Sequence, residues 1–367
     1  MTKLSYYGIK DNEHKLIRSY FKDRYTYVQI DAKHSNLQRC GDYGVVQGSK
    51  LSGLMYSLYT NEIPRLHWIL KNPTMMRMIF QRNPLNTNKI EHNVTQFVDD
   101  SNSVIIFKDK DQIMEYINMY FWLLKIFYNM NKLLINDDKT NMLVINNPKH
   151  EHTAKDIKIQ TDTETIKPKD KFTILGWIVN CRCTYDDHIN KISSIIHHRI
   201  HRAQELSGYM SPSMRTIFAN AHLHSVLSYG APLMYNNNKY VTDKMHTLFM
   251  KCIRFSRGNF GFKLSCEKIC KDAKKKTSGE HFLDETAKFV QKVIKTNMPI
   301  SIFKKIKMPR TRSNAKLGLK LYPKNKRFTQ TLINKIPEVY DMIPPELRKT
   351  KPKLFKKSLK SIKIRRS

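Results

Sequence analysis

Acidic residues are in short supply. The chain sets 31 Asp and Glu against 65 Lys and Arg, a formal net charge of +34 over 367 residues. Such an excess points to a polyanionic partner, most simply nucleic acid, with an anionic membrane surface second. Glycine is scarce as well, at 12, and neither a Gly/Ser linker nor an internal repeat is found. Six cysteines are too few for a disulfide scaffold and fit a reducing compartment. Cys266 and Cys270 are four apart, on one helix face, with His281 beyond, but four ligands at zinc-knuckle spacing cannot be assembled. No long apolar run is found. The richest, from Tyr116 to Met130, is interrupted by Asn118, Lys125 and Asn129, short of the ~20 residues that span a bilayer. The first residues, Met-Thr-Lys-Leu-Ser-Tyr-Tyr-Gly, lack the apolar stretch of a signal peptide. An intracellular protein of nucleus or cytoplasm, neither secreted nor membrane-bound, is therefore expected. A hydrophobic fraction of 40% with 10% aromatics excludes a wholly disordered chain, and the length fits two to three structural units.

The charge is uneven. From Ser301 to Ser367 there are 21 Lys and Arg against only Glu338, Asp341 and Glu346, a net of +18 in the last fifth of the chain. That block still carries Leu317, Leu332, Ile336, Leu354 and Phe355, so it reads as a small basic helical unit. Upstream, Leu16, Ile17, Tyr20 and Phe21 predict a helix over Lys10–Lys22, and Tyr25–Ile30 a strand. Asp42–Val46 reads as extended, leading to a turn at Gln47-Gly48. Ser49 then caps a helix whose stripe is Leu51, Leu54, Met55, Leu58 and Tyr59. Ile113, Ile117, Tyr120, Leu124 and Phe127 predict a helix over Asp109–Asn129. Met142–Ile145 and Phe172–Val179 read as strands, with Cys181 and Cys183 alternating beyond. Helices follow over Asp186–Leu206 and Met214–Leu227. Strands gather in the first half, so the expected class is α+β followed by a helical region.

The chemistry concentrates in Asn93-Val94-Thr95-Gln96-Phe97-Val98-Asp99-Asp100-Ser101-Asn102-Ser103-Val104-Ile105-Ile106-Phe107. Two β-rich runs flank an Asp-Asp-Ser-Asn turn, which predicts a hairpin with adjacent carboxylates at its tip. Adjacent carboxylates repel, and a hard divalent cation such as Mg²⁺ is a natural counter-charge. Strand geometry sends neighbouring side chains to different sides, so one carboxylate should dominate metal binding. Asp and Asn also simply suit turns.

Three further segments sit in a fixed order around this hairpin. Gly44-Val45-Val46-Gln47-Gly48-Ser49 precedes it, Asn136-Asp137-Asp138-Lys139-Thr140 follows the long helix, and Leu175-Gly176 lies in a later β-rich run. This series resembles the palm of the reverse transcriptases of non-LTR (LINE-type, jockey-like) retrotransposons. That family carries a Gly-Val-Pro-Gln-Gly-Ser motif, an aromatic-x-Asp-Asp hairpin, an Asn-x-x-Lys-Thr motif and a Leu-Gly primer grip. Tyr185-Asp186-Asp187-His188-Ile189 is similar to its Trp-x-x-His-Ile entry to the thumb. Ser225-Val226-Leu227-Ser228-Tyr229-Gly230 resembles a thumb helix end, and Tyr340–Arg348 with Phe355-Lys356-Lys357 a short tail. The resemblance runs from about Leu4 to about Ile364. Val46 stands where the family has Pro, and Asn61-Glu62 where it often has Asn-Asp. The family's first catalytic Asp and its fingers would precede Leu4, while Asp11 and Glu13 fall after the Gly8-Ile9 landmark.

The resemblance implies a partial palm over residues 1–180, a helical thumb over 181–300 and a basic tail over 301–367. It implies RNA-directed DNA polymerase activity with Mg²⁺ (or Mn²⁺) on Asp99 and Asp100, impaired by the absent first Asp. An RNA template, a DNA primer and deoxynucleoside triphosphates would be the partners. Gln47, Gly48, Ser49 and Phe97 would lie against template and incoming nucleotide, and Lys139 would face the triphosphate. Leu175 and Gly176 would grip the primer, with Trp177 beside them. The alternative is a non-catalytic nucleic-acid-binding remnant of such an element.

Overall fold

The computed structural model describes residues 2–40, 44–82, 85, 87–108, 110–145, 156–161, 164–235, 237–258, 265–272, 275–307, 317–319 and 331–359. Residues 42 and 43 of the expected 42–46 extension lie outside these, as does Ile364. The chain is α+β and divides into two compact units, Met1–Asp170 and Lys171–Ser367. No helix among the described residues is long and apolar enough to cross a membrane.

In the first unit, helix α1 (Asp11–Phe21) precedes a short antiparallel ladder that pairs Tyr25–Thr26 with Gln38–Arg39 and Gln29–Ile30 with Lys33–His34. The single strand expected over Tyr25–Ile30 is thus two short ones. Helices α2 (Ser52–Tyr59) and α3 (Pro73–Phe80) flank a 3₁₀ segment, Ile63–Lys71. Strands β1 (Glu91–Phe97) and β2 (Asp100–Ile106) form a hairpin, and α4 (Lys110–Met130) returns across it. The core gathers Ile63, Leu70, Met76, Ile113, Tyr116, Tyr120 and Phe121.

The inward face of the hairpin sets His92, Ser101 and Ser103 beside Val94 and Ile105, and α4 meets its polar groups with tyrosine hydroxyls. Tyr116 reaches His92 Nδ1 at 3.0 Å, Tyr120 reaches Ser103 Oγ at 3.3 Å and Tyr128 reaches Ser101 Oγ at 3.3 Å. Aromatic rings thus fill the core while each phenol finds a partner. Beyond α4, the strand expected over Met142–Ile145 is reduced to a single bridge between Met142 and Pro168. Asn136, Lys139 and Thr140 turn the backbone just upstream, which leaves little room for a longer ladder.

The second unit opens with strands β3 (Lys171–Ile174) and β4 (Trp177–Asn180), paired antiparallel. The continuous strand expected over Phe172–Val179 is instead folded back on itself at Leu175-Gly176. Cys181 and Cys183 lie past its end, in a turn where Cys183 has φ +52°, not in a strand. Helix α5 (Asp186–Leu206) buries Ile189, Ile192, Ile196 and Ala203, a spacing of three, four and seven that keeps one face inward. Pro212–Phe218, a π-helical stretch Ala219–His224 and Ser225–Ser228 follow in place of one regular helix. Helices α6 (Lys239–Arg257) and α7 (Ser278–Thr296) complete the bundle. Gly258 at φ +67° ends α6, and a Thr277–Glu280 capping box starts α7.

The first of the expected boundaries, 180/181, falls instead at 170/171, because the β3–β4 hairpin belongs with the helices. Residues 301–367, expected as a unit of their own, share the bundle's core over their described part. Ile336 and Val339 of α8 (Leu332–Met342), with Ile343, Leu347, Phe355 and Leu359, are buried in one cluster with Val241, Phe255 and Val290.

Candidate nucleic-acid site

Register places the two carboxylates. Phe97 pairs with Asp100, Gln96 with Ser101 and Val94 with Ser103, so the loop is the two residues Val98 and Asp99. The turn expected over Asp99–Asn102 therefore sits earlier, and Asp100, Ser101 and Asn102 are strand. A slip of one residue would turn Ser101 and Ser103 away from Tyr128 and Tyr120. Asp99 stands in the turn, while Asp100 opens β2 on the outward face beside Phe97, which is 60% exposed. Val98 has φ +52°, a region that a β-branched residue occupies only under constraint. Part of the constraint comes from the preceding strand, where Gln96 Nε2 donates to the Val98 carbonyl at 3.2 Å.

The segment carrying Gln47, Gly48 and Ser49 closes as a turn, with Ser49 N–H donating to the Val46 carbonyl at 3.3 Å. Gly48 takes φ +82° there, as the third residue of a type II turn requires, and its missing Cβ faces open space. Ser49 does not cap the helix directly. Its hydroxyl accepts from Leu51 N–H at 3.3 Å, and α2 begins at Ser52, two residues later than expected. Of the expected apolar stripe only Met55 is buried. Leu51, Leu54 and Tyr59 are exposed, because α2 turns Ser52, Met55 and Thr60 inward.

This helix stands beside the hairpin. Gln96 Nε2 of β1 donates to Thr60 Oγ1 at 2.6 Å. Burial, with Tyr128 and Asp99 nearby, pushes the Tyr56 phenol up to about 12. Tyr56 and Thr60 are thus site neighbours that the motif reading did not single out. Their signal was their place on the helix that follows Gln47-Gly48-Ser49.

The Asn-x-x-Lys-Thr segment is a self-capped turn. Asn136 Oδ1 accepts from Lys139 N–H at 3.1 Å, and Thr140 Oγ1 donates to the Asn136 carbonyl at 2.9 Å. Asp137 pairs with Lys125 of α4 at 3.3 Å, fixing the turn to the core. Lys139 is left exposed, and among the described residues its ammonium makes no hydrogen bond to the hairpin. Comparison with protein-family models, curated proteins and solved structures gives no match.

Leu175 and Gly176 belong to the second unit, as the two-residue turn between β3 and β4, with φ +48° and +84°. Trp177 stacks on His188 at 3.7 Å between ring centroids, and Ile178 N–H donates to His188 Nδ1 at 3.3 Å. Gly230 lies against the Trp177 ring, where a Cβ would come within 2.0 Å of it. Three sequence segments singled out separately, Leu175-Gly176, His188-Ile189 and Tyr229-Gly230, therefore meet at one turn.

The donor chemistry for a hard cation is limited. Mg²⁺ keeps several waters and is bound through one or two carboxylates. Among the described residues no group of three or more His, Cys, Asp and Glu is placed to hold a metal.

Proposed function

We propose that the chain is the palm-and-thumb portion of a reverse transcriptase of non-LTR type, binding an RNA template paired with a DNA primer. The observation that supports this most is the Gln96–Thr60 hydrogen bond, which joins two motif segments 36 residues apart. The capped Asn136–Thr140 turn and the Leu175-Gly176 turn support it further. In this reading Asp99 and Asp100 would hold one Mg²⁺, which would supply Lewis-acid charge to a phosphoryl oxygen. Asp99 stands in the turn and Asp100 at the start of the strand. Lys139, exposed and without an acidic partner among the described residues, offers charge to a triphosphate. A second reading, a nucleic-acid-binding protein without polymerase activity, is favoured because among the described residues no group of three or more His, Cys, Asp and Glu is placed to hold a metal.

The chain should bind an RNA–DNA primer–template yet extend it feebly with Mg²⁺ or Mn²⁺. Phosphoryl transfer depends on positioned charge, so a missing metal ligand is felt in rate more than in binding. Asp99→Ala should abolish the residual extension and change affinity less than about twofold. Vigorous Asp99-dependent extension would remove the second reading, and failure to bind primer–template would remove both.

Binding should be electrostatic. Truncation before Ser301 is no test, since it strips Ile336, Val339 and Phe355 from the core. Lys351, Lys353, Lys356 and Lys357 are exposed around the last helix, Pro352–Ser358, and can be changed to Gln instead. Each phosphate contact given up should flatten the slope of log K against log salt by about 0.7–0.9. An unchanged slope would show that these lysines face something else.

A further inference from the structure

The Leu175-Gly176 turn is held far more tightly than a connection between two four-residue strands requires. An isolated two-stranded hairpin is marginal in water, and a leucine at φ +48° adds strain. At its base, Asp187 of α5 accepts from Lys171 Nζ at 2.7 Å and from Asn180 Nδ2 at 2.8 Å. At its tip, both turn carbonyls are taken by side chains from elsewhere in the unit. The Tyr229 hydroxyl donates to the Leu175 carbonyl, and Lys191 Nζ donates to the Gly176 carbonyl at 3.4 Å. Tyr229 comes from the end of the Ser225–Ser228 helix, 54 residues along the chain. Leu175 remains 42% exposed and Tyr229 53% exposed, so this bracing serves a surface feature and fills no core. The result is a strained, rigid apolar knob with an ammonium beside it.

We propose that Tyr229 is the positioning residue of this knob. By pinning the Leu175 carbonyl it presents the leucine side chain and the Lys191 ammonium to the terminal sugar and phosphate of a nucleic-acid strand. The assignment rests on the nucleic-acid reading above. Tyr229 need not touch the strand, and its effect is exerted through the turn it holds.

The test uses the full chain and two RNA–DNA duplexes, one blunt and one with a recessed DNA 3′ end bearing a photoactivatable thiothymidine. Tyr229→Phe keeps the exposed ring and loses only the donor, so the circular dichroism spectrum and blunt-duplex affinity should match the unaltered chain. Cross-linking of the recessed end to residues 171–180 should fall about fivefold, the worth of one hydrogen bond. Lys191→Met should lower the same yield by a similar factor. Unchanged cross-linking in Tyr229→Phe would overturn the assignment, and so would an equal loss of blunt-duplex binding, which would mark a merely structural role. If neither duplex binds the unaltered chain, the nucleic-acid reading itself fails and this assignment with it.

Discussion

Gly230→Ala should destabilise the unit from Lys171 onward by about 3 kcal/mol or more. Gly230 has φ +74°, where any residue with a Cβ costs about 1 kcal/mol. Its added Cβ would lie 2.0 Å from Trp177 Cζ3 and 2.8 Å from Cε3. The obstacle is an indole ring clamped by its stack on His188 and its edge contact with Tyr185 at 6.0 Å, so it cannot swing aside cheaply. Gly279 is the control: it sits inside α7 with nothing within 4 Å of a Cβ. Gly279→Ala should be neutral or stabilise by about 0.5–1 kcal/mol, through helix propensity. Urea unfolding followed by Trp177 fluorescence, with Trp68 and Trp122 changed to Phe, separates the two outcomes. Equal midpoints for Gly230→Ala and the parent would mean that the indole is free to move, contrary to the packing described.

What the sequence displayed was periodicity, and periodicity carried the long elements. The helix expected over Asp109–Asn129 is Lys110–Met130, and Asp186–Leu206 falls where expected, because apolar residues at steps of three and four have few other solutions. The Asp99–Asp100 hairpin was legible from its two β-rich flanks, but its register was not. The two-residue turn is set by Ser101 and Ser103 finding tyrosine hydroxyls on α4, a tertiary match with no local sign. Leu175-Gly176 was hidden for a related reason. A leucine at positive φ does not look like a turn residue, and the braces that hold it there, Tyr229 and Lys191, are 54 and 15 residues away. On α2 the pattern misled, since it marked Leu51 and Leu54 as inward and the helix turns Ser52 and Thr60 to the core instead. Charge misled about the end of the chain. A lysine-rich segment read as a separate unit, yet Ile336, Val339 and Phe355 among those lysines are fully buried. Asn-x-x-Lys-Thr was the most transparent motif, because its cap, donor and turn all lie within five residues.

Mild acid should destabilise both units. His92 in the first unit and His188 and His224 in the second are only 6%, 3% and 9% exposed. Burial, aided by His67 and Lys71, pulls His92 down to about 3. Burial with Lys191 pulls His188 to about 4, and burial with His281 and Lys275 pulls His224 to about 3. The geometry agrees for His188, whose Nδ1 accepts from Ile178 N–H and so cannot take a proton without losing that bond. An unfolded histidine titrates near 6.5, so below that pH the unfolded chain binds more protons than the folded one. Stability is therefore fully present above about pH 6.5 and falls as pH drops toward 4. Each unit of pH below 6.5 removes about 1.4 kcal/mol per histidine, so by pH 5 each contributes a loss of up to about 2 kcal/mol. For the second unit the two together remove about 4 kcal/mol, close to the lower end of an ordinary domain's stability. Asp284 opposes this slightly: burial raises its carboxyl, against the pull of Lys276, so its protonation in acid relieves a cost. His67 and His281, also lowered by burial, add in the main direction. Urea midpoints for the two units should accordingly fall steeply from about pH 7 to about pH 5, and His224→Gln should flatten the fall in the second unit alone. Midpoints that hold level across that range would show that these imidazoles accept protons without leaving their buried positions.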